Sequence, residues 1–246
     1  MNEDKFSGKA EAYSKYRPSY PDSLIEWLYE NTTAENVVDI GAGTGIFTEC
    51  LLKKPWHITA VEPNEDMLAY LNKLSSDVEI VKASAESTGL TKNTYDLVTV
   101  AQAFHWFDKS LFKKECQRIL KPNGKLAVIF NKRCQNDFNR ERNKVCMKYC
   151  DSYHSGHVHT GYEDFDGERF LREEYFETID YLSVENQVIM SKERFIGDNL
   201  SRSYALKPND EHYEMFVAEL EEVFEKYCSN GVVHNKYITE CFLGSF

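Results

Sequence analysis

The chain has 246 residues, with 29 Lys and Arg against 40 Asp and Glu and a net charge of −11. That length suits one domain, or one domain with a lid, and 42% hydrophobic with 28% charged residues is the composition of an ordinary globular protein with a sizeable core. The acidity disfavours nucleic acid and anionic membranes as partners, because both reward a basic surplus or stripe. No apolar run approaches the length of a membrane span, and "MNEDKFSGKA" lacks the apolar centre of a signal peptide. A cytoplasmic location is therefore expected, and seven cysteines without a paired framework fit reduced thiols.

Five short apolar segments read as strands in chain order: "NVVDI" (36–40), "HITAV" (57–61), "VEIV" (78–81), "YDLVTV" (95–100) and "KLAVIFN" (125–131). The first, fourth and fifth are nearly continuous apolar runs, as in strands buried on both faces. Helical patterns separate them. One follows Gly45, and a second follows Asn64, a suitable N-cap with Glu65 and Asp66 in its first turn. A third follows Asp108, and "KPNG" (121–124) reads as the turn into the fifth strand. Strand alternating with helix predicts a parallel sheet with right-handed crossovers. After residue 131 the pattern changes. A polar helix (137–152) leads into a loop-rich insertion, then a strand or two (176–190), a helix through "SKERFIGDNLSRSYALK" (191–207), an amphipathic helix over about 210–228, and a closing strand.

The stretch "VVDIGAGTGIFT" (37–48) joins strand to helix through Gly41, Gly43 and Gly45. Strand, glycine loop and helix suggest a nucleotide site at the carboxyl end of the sheet. The dinucleotide spacing G-x-G-x-x-G is not met, because Ile46 stands where the third glycine belongs, and no Lys follows in phosphate-loop spacing. Asp39 precedes the loop, and an anion there suits a cationic ligand better than a pyrophosphate. Glu62 ends the second strand about 20 residues on, where an acid binds a ribose diol. A nucleoside with positive charge and no phosphate fits these features, and S-adenosylmethionine is such a ligand. A tight strand–helix turn without ligand is the alternative for the glycines alone.

Together "VVDIGAGTG", "AVEPNEDML", "VKASAESTGL", "YDLVTVAQAFHWFD" and "ILKPNGKLAVI" resemble the class I S-adenosylmethionine-dependent methyltransferases. Within them the likeness is to the small-molecule branch that includes the ubiquinone-biosynthesis and trans-aconitate methyltransferases. It is ordered over residues 6–131 and weaker afterwards. The resemblance implies an α/β fold: a Rossmann-like, seven-stranded, mostly parallel sheet with the last strand antiparallel, helices on both faces, and N- and C-terminal lid segments. It implies one domain, comprising an N-terminal cofactor lid (1–33), a cofactor-binding core (34–135), a substrate-lid insertion (136–205) and a sheet completion (206–246). It also implies that Gly41, Ala42 and Gly43 pass under the methionine part of S-adenosyl-L-methionine, with Asp39 near the ammonium and Glu62 on the ribose. Pro63 and Met67 would pack on the adenine, with Ser84 and Ala85 at its edge. Ser84 departs from the Asp common in the family. Ala101 and Gln102 would follow the fourth strand towards the ammonium. Tyr13 and Arg17 match a helix that covers the cofactor, and Arg17 suits its carboxylate.

Methyl transfer is an in-line displacement in which the enzyme aligns a nucleophile and excludes water. "AQAFHWFD" (101–108) faces the methyl in such a fold. His105 is the candidate catalytic base or anion donor, and Trp106 a candidate wall of the acceptor pocket, although both also suit packing. The Asn-Pro-Pro-aromatic signature of N6-adenine and glutamine methyltransferases is absent, as is a Pro-Cys nucleophile. A small-molecule acceptor, no nucleic acid and no membrane are the expected partners, for a monomer or homodimer. Ser201, Ser203 and Tyr204 offer hydroxyls at helical spacing for that acceptor. His154, His157 and His159 resemble a metal cluster, as do Cys146 and Cys150 with His154, but this transfer needs no metal and none is expected. A cofactor-binding protein without turnover, an RNA or protein methyltransferase, and a nucleotide-dependent oxidoreductase stand as alternatives.

Overall fold

The computed structural model describes residues 8–151, 153 and 167–246. The insertion with His154, His157 and His159 lies outside them. Seven strands form one sheet in the order β3-β2-β1-β4-β5-β7-β6. They are β1 (Asn36–Ile40), β2 (His57–Val61), β3 (Val78–Val81), β4 (Tyr95–Ala101), β5 (Leu120–Arg133), β6 (Thr178–Ser191) and β7 (Val232–Ser245). β1 to β5 run parallel to one another, and β7, the last strand of the chain, runs antiparallel between β5 and β6.

The continuous apolar runs follow from burial on both faces. Val38 and Ile40 of β1, Val98 and Val100 of β4, and Leu126, Val128 and Phe130 of β5 enter one core cluster with Phe112 and Ile119. The alternate residues Val37, Leu97, Ala127 and Ile129 enter the other with Leu24, Leu28 and Phe47. The helices that cover these faces include α2 (Asp22–Glu30), α3 (Ile46–Leu51), α4 (Glu65–Leu71) and α5 (Lys109–Ile119), while α1 (Ala10–Tyr16) packs on α4 and on α8 (Lys192–Leu200). Asn64 caps α4 by accepting from the Met67 N–H at 3.0 Å, and Asp108 caps α5. A third cluster, with Phe138, Phe195, Phe216 and Phe224, lies beneath α6 (Asp137–Tyr149), α8 (Lys192–Leu200) and α9 (Tyr213–Tyr227). A short helix, α7 (Gly167–Phe170), precedes β6.

Three expectations change. "KPNG" (121–124) is a bulge within β5 rather than a turn before it: Leu120 pairs with Tyr95 and Lys125 with Leu97, so residues 121–124 stand opposite Asp96 alone. One long strand, β6, occupies the region read as a strand or two, and it completes the sheet from within the segment 136–205 expected as a lid. The helix expected through 191–207 ends at Leu200, so Ser201, Ser203 and Tyr204 lie in the turns that follow it rather than on a helix face.

Among the described residues no helix is long and apolar enough to cross a membrane, and all seven cysteines are free.

Candidate functional site

The site lies at the carboxyl ends of β1, β2, β4 and β5. Gly41, Gly43 and Gly45 all have positive φ, of 72°, 59° and 90°, a conformation that a side chain resists. At Gly41 space is also closed, because a Cβ would fall 2.6 Å from that of Ala103. The loop is held by Glu62, whose carboxylate accepts the Gly43 N–H at 2.8 Å with one oxygen and the Asn64 N–H at 2.9 Å with the other. Each carboxylate oxygen has a second lone pair, and Glu62 lines a cavity of about 270 Å³. Pro63, Met67, Ser84, Ala85, Trp106 and Phe107 complete its walls. Glu86 is a second acid on the lining, and the slot, with Glu62 at its floor and mostly apolar sides, suits a purine nucleoside.

A tighter compartment adjoins it and shares Tyr13, Gly41, Ala101 and Gln102 as common walls. Asp39, Ala42, Arg17, Asn131, Arg202 and Tyr237 line it as well. Asp39 is buried, and its carboxylate accepts from Thr48 Oγ1 at 2.7 Å and Thr99 Oγ1 at 3.0 Å. Burial pushes its pKa up to about 6 against the effect of those two donors. A cation beside Asp39 would therefore find an anion that lacks a charged partner. Gln102 is held at φ 58°, a sparsely populated conformation for a side-chain-bearing residue. Its side-chain amide donates to the Asn131 carbonyl at 2.9 Å.

The N-terminal segment roofs both compartments. Pro18 disfavours helix at the residue before it. Arg17 is accordingly extended, at φ −63° and ψ 148°, and ends α1. Its guanidinium lies 4.6 Å from the centre of the Tyr13 ring, and its Nε–H donates to Ser201 Oγ at 2.7 Å.

Tyr13, Arg17, Asp39, Gly41, Ala42, Gly43, Glu62, Pro63, Met67, Ser84, Ala85, Ala101, Gln102 and Trp106 thus all line one cleft. His105 does not: it is exposed, with its ring 4.6 Å from that of Trp106, and the cleft wall at this turn is Trp106 and Phe107. Ser201 is buried between Arg17 and the Asp198 carbonyl, while Tyr204 accepts from Arg142. Neither lines the cleft, and nor does Ser203, whereas Arg202 beside them does.

The sequence reading missed a buried cluster behind that arginine. Asp198 accepts from Arg133 at 2.6 Å and from Arg202 at 2.8 Å, with Arg17 at 4.0 Å. Burial opposes its charge, but Arg202, Arg133 and Arg17 together hold its carboxyl well below the usual range. The signal was present in "SRSYALK" (201–207), where the cation rather than the hydroxyls reaches the site.

Residues 38–128 match the family model of a methyltransferase domain. An uncharacterized methyltransferase of Mycobacterium tuberculosis is 38% identical over 128 residues, 52% of each chain; the chain thus spans about half the length of the curated relatives it matches. Among solved structures, a candidate type II methyltransferase from Anaeromyxobacter dehalogenans superposes with a TM-score of 0.68 over 94% of this chain and 98% of its own, at 21% identity. An N-methyltransferase of Haemonchus contortus, solved with S-adenosylhomocysteine, superposes at 0.53 over 92% of this chain and 52% of its own, at 14% identity. At those identities the likeness is one of fold.

Proposed function

We propose that this chain, a member of the class I S-adenosylmethionine-dependent methyltransferases, binds S-adenosylmethionine in the cleft and moves its methyl group to a small-molecule acceptor. The observation that carries the reading is the Glu62 carboxylate, fixed by two backbone N–H groups at the floor of a cavity of about 270 Å³ with Met67 and Ala85 on its walls. Glu62 would hold the ribose hydroxyls, while Met67, Pro63 and Ala85 would flank the adenine. Asp39 would sit near the ammonium, and Arg17 on Tyr13 would face the carboxylate. The bound cofactor supplies a methyl on a sulfonium, which needs an aligned nucleophile and a dry site. Tyr13 and Arg17 exclude water from above, and Trp106 and Phe107 from the side. The exposure of His105 disfavours it as the base and leaves the small acceptor to be aligned by the cleft itself.

Calorimetric titration with S-adenosylhomocysteine tests the reading. Wild-type protein should bind at micromolar concentration or tighter. Glu62→Ala should weaken binding by at least about tenfold, or about 1.4 kcal/mol, and Glu62→Gln, which keeps one acceptor, by less. No binding by the wild type would overturn the cofactor assignment, and the same titration with NAD would then decide whether the slot serves another nucleotide.

A further inference from the structure

Four guanidinium groups gather at the tight compartment, two of them, Arg17 and Arg202, on its lining and two, Arg133 and Arg142, behind it. Arg133 and Arg202 bond to Asp198 at 2.6 and 2.8 Å, and Arg17 lies 4.0 Å from it. Arg142, 2% exposed, is bonded to neutral groups only: Asn199 Oδ1 at 2.5 Å, Asn143 Oδ1 at 3.0 Å and the Tyr204 hydroxyl. Among the described residues Asp198 is therefore the one carboxylate that pairs with any of the four. Burying cations without matching anions is costly. Burial first, then the neighbouring Arg202, pull the Arg17 pKa down to about 10, whereas Arg133, beside Tyr237 and Asp198, and Arg142, beside Cys146 and Tyr204, are held above the usual range despite their burial. Lys9 adds a fifth cation. Its ammonium donates to the carbonyls of Arg202 and Ala205 at 2.6 and 2.9 Å and so fixes the turn that presents Arg202.

A chain of net charge −11 has concentrated its buried positive charge at one place. One carboxylate, that of the cofactor's amino-acid end, would neutralise one guanidinium and leave a surplus. Arg202 is the member placed to meet another anion. It lines the tight compartment beside Asn131 and Tyr237, and its Nε–H is buried with no hydrogen-bond partner among the described residues. The guanidinium fork matches the oxygens of a carboxylate or phosphate.

We infer that the methyl acceptor is a small organic anion whose carboxylate or phosphate group is received by Arg202, backed by Arg133 and Arg142, at the end of the cleft away from Glu62. This rests on the methyltransferase reading for the word acceptor, while the anion site itself does not. Arg17 and Arg202 line the same tight compartment; Arg17, stacked on Tyr13, would serve the cofactor's carboxylate and Arg202 the acceptor.

The test is titration of malonate and of inorganic phosphate, in separate arms at constant ionic strength, into the protein with and without saturating S-adenosylhomocysteine. Glycerol serves as the neutral control, with calorimetry and melting temperature as readouts. At least one anion should bind the loaded wild type, glycerol should not, and the better of malonate and phosphate names the group recognised. Arg202→Gln should weaken that binding by about tenfold or more and change S-adenosylhomocysteine affinity by less than about threefold. Arg202→Lys, which keeps the charge and loses the fork, should fall between, and this guards against a variant that merely unfolds. Absence of anion binding by the loaded wild type, or equal binding by wild type and Arg202→Gln, would overturn the proposal. An equal loss of S-adenosylhomocysteine affinity in Arg202→Gln would overturn it too, since Arg202 would then serve the cofactor's carboxylate. Should S-adenosylhomocysteine itself not bind, the methyltransferase reading fails, and the unloaded arms still decide whether Arg202 receives an anion.

Discussion

Arg17, at the end of the first helix, donates from Nε to the hydroxyl of Ser201 at 2.7 Å across 184 residues of sequence. The sequence reading set Arg17 on the cofactor and Ser201 on the acceptor, whereas in the fold the two hold each other. Ser201 Oγ passes the connection on by donating to the Asp198 carbonyl at 2.7 Å. The bond thus aims the Arg17 fork and ties the N-terminal roof to the end of α8.

Ligands that differ at one end separate these roles. Arg17→Met should raise the Kd of S-adenosylhomocysteine by about tenfold, the size of a lost charged pair. It should leave 5′-methylthioadenosine, which lacks the amino-acid end, nearly unchanged. Ser201→Ala should lower unfolding stability by about 1 kcal/mol and produce a weaker version of the same ligand pattern. Calorimetry with the two ligands and urea unfolding of the two variants supply the comparison. Equal losses for both ligands would show that Arg17 holds the roof in place and does not meet the carboxylate.

The roof is also sensitive to a single methyl group. Gly197 of α8 packs against the Tyr16 ring of α1, and a Cβ there would overlap ring carbons. No left-handed backbone is involved, so Gly197→Ala acts through packing alone. Overpacking of this kind costs about 1–3 kcal/mol, or a fall in Tm of several degrees for a chain of this size. Because Tyr13 and Arg17 share the displaced segment, S-adenosylhomocysteine affinity should fall with it, and trypsin should cut faster after Lys15. Unchanged affinity with a lowered Tm would mean that α1 does not cover the cofactor.

The legible part of the fold was the part where both sheet faces are buried. The runs at 36–40, 95–100 and 125–131 carry apolar residues of both parities, because α2 and α3 lie on one side and α5 on the other. β6 was harder, since it is an edge strand with most of its side chains partly exposed or exposed. The lining of the cleft was legible because its residues follow strand ends in chain order: Gly41 after β1, Glu62 after β2, Gln102 after β4. The guanidinium cluster was not. Arg133 meets Asp198 across 65 residues and Arg142 meets Asn199 across 57, and no local spacing signals either pairing. The hydroxyls at 201, 203 and 204 suggested a helix face, but the helix stops at Leu200 and the turn delivers Arg202 instead.

Asp39 is a buried acid beside the proposed ammonium position, and pH tests both its cost to the fold and its role in binding. Its carboxyl titrates near 3.8 in an unfolded chain and is pushed up to about 6 in the fold, by burial that its bonds to Thr48 and Thr99 offset only in part. The folded state thus holds this proton more tightly than the unfolded state. Above pH 6 ionised Asp39 destabilises the fold by about 3 kcal/mol, the free-energy equivalent of that difference. The penalty shrinks as pH falls from 6 to 3.8 and is gone below. Asp39→Asn should therefore stabilise the unliganded protein by about 1–3 kcal/mol at pH 7.5, with a gain that fades towards pH 4 in urea unfolding. An ammonium placed beside Asp39 reverses the preference, because it favours the ionised form. S-adenosylhomocysteine binding to the wild type should then weaken as pH drops through about 6. Asp39→Asn should bind more weakly at pH 7.5 and lose that pH dependence. A variant no more stable than the wild type at pH 7.5 would mean that Thr48 and Thr99 already compensate the buried charge. Retained affinity with the same pH profile would place the ligand's ammonium elsewhere, beside the backbone of Ala101 and Gln102.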